Sequence, residues 1–123
     1  MLTDFNFQII LQFQESLKRL QTDLESEHVA YPVLQSQWHE IEIFFEQQIM
    51  TVNPEAMAAS VSPIWQSYLT EIHKQMRLLT IDLRFLKAAR QSTTAQTRQI
   101  QILARIGKLM GYCDAILVKF TSP

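Results

Sequence analysis

Seven apolar residues, Trp65, Leu69, Ile72, Met76, Leu79, Leu83 and Leu86, recur along one stretch of this chain at alternating intervals of four and three. Such intervals hold a set of side chains on one side of an α-helix and would scatter it over both faces of a strand. Three further stripes repeat the pattern: Ile10, Phe13, Leu17, Leu20 and Leu24; Leu34, Trp38, Ile41, Phe45 and Ile49; and Ile102, Ile106, Leu109, Cys113, Ile116 and Phe120. The signals of a β-structure are missing, with only two glycines, no Asn-Gly or Asp-Gly pair and no sustained period-two alternation. The stripes predict an all-α fold, an antiparallel bundle of about four long helices.

Local punctuation sets the expected boundaries. The first helix runs from about Thr3 to Ser26, and Pro32 suits the first turn of a second helix that ends near Val52. Asn53-Pro54-Glu55 reads as an N-cap, a proline and a dipole-favoured acid, followed only by Ala56 to Ser60, so a short connecting helical turn is expected near 54–60. Ser62-Pro63 repeats the cap-plus-proline signal and opens the third helix, which reaches about Arg90. Thr93 and Gln96 have the spacing of a capping box at the start of a fourth helix that frays toward Pro123. Helices of about 20 to 28 residues are roughly 30 to 42 Å long, and rods of similar length joined by short connections bury their stripes most economically with crossings of ~20°.

A chain of 123 residues makes one domain over 1–123 and buries roughly two-thirds of the surface its unfolded form exposes, enough for a shared core. With 47% hydrophobic and 19% charged residues it has a globular composition, and its apolar runs are too short to span a membrane. Met1 to Phe13 carries Asp4 and no lysine or arginine, unlike a secretory signal, so cytoplasmic residence is expected. Cys113, the single cysteine, falls within an apolar stripe and reads as a small buried hydrophobe.

The net charge of −1 conceals two unlike halves. Residues 1–62 hold nine acids against Lys18 and Arg19, a net of −7, while residues 63–123 hold nine bases against Glu71, Asp82 and Asp114, a net of +6. The folded halves either neutralise each other by pairing or leave a polarised surface.

Little here is arranged for catalysis. A di-iron bundle needs Glu-x-x-His on two helices with two more acids, whereas His39 with Glu42 is a lone reversed pair and His28 and His73 have no partner cluster. No strand-turn-helix surrounds a serine, and no glycine-rich phosphate loop is present. No enzyme activity, metal or cofactor is expected. The bases of the second half admit a nucleic-acid-associated regulator as the alternative function, but a pI near 6.3 and the lack of a reader motif make nucleic acid the weaker partner.

Two features exceed what a core requires. On the third helix Leu78, Ile81 and Phe85 point nearly opposite the core stripe and are bordered by Arg77 and Arg84, which makes these five a candidate protein-binding site. Coverage by the 53–62 connection, or by a second copy in a homodimer, is the alternative for the apolar three. Phe7 and Leu11 likewise lie off the first helix's stripe. On the fourth helix Ala104, Gly107, Gly111 and Ala115 form a small-residue strip whose expected use is close packing against a neighbouring helix of the same chain.

Gln66-Ser67-Tyr68, Thr70-Glu71, Lys74-Gln75, Arg77-Leu78-Leu79, Asp82, Phe85-Leu86 and Ala88-Ala89-Arg90-Gln91 resemble the central helix of the cyanobacterial heterocyst frequency control family PatD. Phe44-Phe45-Glu46-Gln47-Gln48-Ile49 is similar to the end of that family's second helix, and Tyr112-Cys113-Asp114-Ala115-Ile116-Leu117 to its C-terminal end. The likeness spans about residues 40–118 and leaves the first helix out. It implies a small cytoplasmic regulator that limits differentiation into nitrogen-fixing heterocysts through the tubulin-like division GTPase FtsZ. Members outside heterocyst formers would make division control the more general role. The resemblance implies no cofactor and supplies no binding residues.

Overall fold

The computed structural model describes residues 3–26 and 28–120. They form four helices, α1 (Asp4–Glu25), α2 (Tyr31–Phe44), α3 (Ser62–Ala88) and α4 (Ser92–Lys119). From Phe45 to Ile49 the end of α2 widens into a π-helical turn, closed by a Met50 N–H to Phe45 carbonyl bond of 2.9 Å. No glycine or proline marks that widening in the sequence, and it ends the second helix just short of Val52. Pro54–Ala56 is a single 3₁₀ turn, and its cap is Asn53, whose side chain accepts from the Glu55 N–H at 3.0 Å.

The helix starts divide into those with a side-chain cap and those without one. Thr3 accepts from the Asn6 N–H at 3.1 Å and so satisfies one of the first-turn donors of α1. Ser62 does not cap α3, because the helix begins one residue earlier than that role needs: Val61 stands at the cap and Ser62 is already in the first turn with Pro63. The capping box at Thr93 fails for a similar reason. Ser92 is already helical, so Thr93 lies inside α4, where its side chain cannot reach forward to a free N–H, and Gln91 occupies the cap with no side-chain bond.

Cross-helix pairs give the arrangement. Asp23 meets Gln37, Trp38 meets Thr80, Asp82 meets Arg105 and Leu24 meets Gln99, so neighbours run antiparallel from α1 through α2, α3 and α4 back to α1. The α3–α4 and α1–α4 seams are the most extensive and the α2–α3 seam the thinnest.

Every residue of the α1, α2 and α4 stripes is buried in one core, and on α3 only Leu69 and Leu86 are half-buried. Phe13 and Phe45 lie 5.6 Å apart at the α1–α2 seam, and Trp65 meets Phe120 edge-on at 5.9 Å. Phe7 and Leu11 are half-buried rather than free.

The small-residue strip of α4 faces the other way from its expected role. Gly107 and Gly111 are exposed, and a methyl group added at either would meet no heavy atom within 4 Å. Ala104 is exposed too, and Ile100 and Val118 on the same outer side are 68% and 75% exposed. The core stripe of α4 and its two flanks engage α1 and α3, which leaves no described helix to meet the glycine side.

Candidate partner-binding surface

The candidate surface begins with the geometry of α3. Its stripe from Trp65 to Leu83 turns inward, and Gln75 and Asp82, buried at 6% and 3%, extend that buried arc toward α4. Thr80, on the other flank, faces α2: its hydroxyl accepts from the Trp38 indole N–H at 2.9 Å and lies 3.2 Å from Glu42 Oε2. What remains is a solvent side carrying Lys74, Arg77, Ile81, Arg84 and Phe85, with Leu78 half-buried at its edge. Ile81 is 44% and Phe85 49% exposed. The 3₁₀ turn after Asn53 does touch α3, and Met57 and Val61 nearby pack on the core, but that connection leaves both Ile81 and Phe85 uncovered.

The α4 border of this side is set by a charge cluster. Asp82 pairs with Arg105 and, at 3.5 Å, with Arg98, and Arg105 also reaches the Gln75 side-chain oxygen at 3.4 Å. A buried carboxylate is tolerable only with such partners, since an unpaired charge would be costly to desolvate. Arg98 emerges from the cluster with its guanidinium 4.4 Å from the centre of the Phe85 ring. Sequence spacing on α3 alone points to Phe85 but not to Arg98, which comes from a different helix. Only the antiparallel register of α3 and α4 brings the two together.

The opposite border is the thin α2–α3 seam. Arg84 stands at a groove of about 410 Å³ shared with Tyr31, Trp38, His39, Glu42 and Thr80. Tyr31 bridges this seam, donating to the Leu83 carbonyl at 3.0 Å. Burial pushes its phenol pKa up and nearby Arg84 opposes the shift. Arg77 lines a neighbouring cleft with Glu46, Met50 and His73. The five sequence-predicted residues thus share one side of α3, with Arg77 and Arg84 toward α2 and Phe85 toward α4.

Among the described residues both ion pairs fall on Asp82, within the basic half. The described acids of the first half therefore make no ion pair with the bases of the second. His73 stacks on Phe45 with centroids 6.2 Å apart, and the described residues hold no cluster of three or more His, Cys, Asp or Glu able to hold a metal ion. No described helix is long and apolar enough to cross a membrane.

No family model, curated protein or solved structure matches this chain. The likeness to the heterocyst frequency control family rests on the residues quoted for it.

Proposed function

We propose that this chain is a non-enzymatic regulator that binds a protein partner through the outward side of α3, with Ile81 and Phe85 as apolar anchors, Leu78 at their edge and Arg77 and Arg84 beside them. The observation that carries the reading is the exposure of Ile81 and Phe85, 44% and 49%, on a helix whose other large apolar side chains are at least partly buried. Aromatic and arginine side chains at the centre of a contact dominate binding energy when a partner excludes water from them. An apolar area covered there contributes about 25 cal/mol per Å² before the costs of association.

The resemblance supplies the named candidate: FtsZ, with control of heterocyst frequency and cell division in the cytoplasm as the role. Sedimentation of FtsZ polymers in GTP with and without the purified chain tests it. Co-pelleting or altered polymer mass, lost in Phe85→Asp, is the expected result. No association and no change in polymer would remove FtsZ. A shift of duplex DNA at low salt that collapses on adding salt would favour the nucleic-acid alternative instead.

A further inference from the structure

The outward side of α3 has a definite electrostatic sign. Lys74, Arg77 and Arg84 are exposed on it, and no described carboxylate lies within ion-pair distance of any of them. Asp82 gives one negative charge to two guanidiniums, Arg98 and Arg105, so the α3–α4 seam keeps a surplus positive charge. Arg98 carries that surplus to the rim, where its side chain is 31% exposed. The Phe85 ring lies 4.4 Å from its guanidinium and Asp82 anchors one Nη, which pre-orients the group and leaves other N–H donors for a ligand. The chain's own nearby acids are Glu71, which precedes Lys74 by one turn of α3 and stands ten residues or more before Ile81 and Phe85, and Glu42 and Glu46, which sit across the α2 clefts from Arg84 and Arg77 and not over Ile81 or Phe85.

We infer that the occupant of this surface is an acidic amphipathic segment of another protein, whose apolar side chain covers Ile81 and Phe85 and whose carboxylates meet Arg98 on one border and Arg77 and Arg84 on the other. The inference rests on the reading of α3 as the partner surface and adds the chemistry of the partner. A basic segment meets Lys74, Arg77, Arg84 and Arg98 as like charges, and a neutral one leaves them desolvated without pairs. A nucleic acid satisfies the cations, but its phosphates gain nothing from the apolar pair at the centre.

The test is selection of a random peptide library displayed on phage against the intact chain, followed by binding measurements on the enriched peptides. The expected peptides carry Asp or Glu beside Leu, Ile or Phe. They should bind roughly tenfold more weakly, or worse, to Phe85→Ala and to the double variant Arg77→Glu/Arg84→Glu. Raising salt from about 0.1 M to about 1 M, where the screening length falls from ~10 Å to ~3 Å, should weaken them similarly. Both variants alter exposed side chains, and unchanged helical circular dichroism separates lost binding from lost folding. Neutral or basic peptides that still depend on Phe85 would overturn the acidic partner and keep the surface. Peptides indifferent to both variants, or no enrichment at all, would overturn the surface as well. Binding of a labelled DNA duplex in preference to every peptide would overturn both.

Discussion

Asp82 is the residue on which most of the polar design converges. Only 3% exposed, it holds Arg105 and Arg98 in the α3–α4 seam, and through Arg98 it governs how the Phe85 ring is presented. Asp82→Asn removes the one anion and leaves two guanidiniums facing an amide, so a loss on the order of 3 kcal/mol in urea unfolding is expected. Cys113 carries a second residue-scale prediction. Burial, with a smaller contribution from Asp114, pushes its thiol from 9.0 up to about 12, so the folded chain keeps a proton that the unfolded chain releases first. The thiol's contribution to stability is complete below pH 9.0 and declines as pH rises toward about 12. Tyr31, also raised, acts in the same direction above 10.0. Melting temperature followed upward from pH 9 should therefore fall more steeply for the wild type than for Cys113→Ala, and parallel curves would contradict a buried neutral thiol.

At the scale of the element, helix starts and helix faces behave differently. Thr93 lies within α4 and caps nothing, so Thr93→Ala should change stability by less than about 0.5 kcal/mol, whereas loss of a working cap costs ~1 kcal/mol. Gly107 and Gly111 sit in helical backbone with no positive φ and open space where a Cβ would go. Gly107→Ala and Gly111→Ala should each stabilise the chain by up to about 1 kcal/mol in thermal or chemical unfolding, because alanine loses less backbone entropy in a helix. A loss of stability at either position would mean that a neighbour, such as a second copy, packs against that face. The stripes were readable because each needs only positions three and four apart. The caps expected at Ser62 and Thr93 were not, because a shift of one residue in where a helix begins moves a hydroxyl from the cap into the first turn, whereas Asn53 caps its turn as its sequence predicts.

For the whole molecule, the closed ring of four helices decides which apolar residues are core and which are surface. Phe85→Asp should melt within a few degrees of the wild type, since the ring is half-exposed, while Leu79→Ala, which is fully buried, should cost about 2 to 5 kcal/mol. Equal destabilisation by both would put Phe85 in a core or an oligomer interface, and the solution mass of the wild type would tell these apart. The sequence by itself determined the helix count, the inward stripes, the acidic and basic halves, and the surplus of apolar residues on α3, because periodicity and composition are local properties of the chain. Only the tertiary structure decided that the described residues of the two halves form no ion pair with each other, that Asp82 is buried between two arginines, that Arg98 lies against Phe85 and that the glycines of α4 face outward. Each of these depends on where a second helix stands, and spacing along one helix carries no information about that.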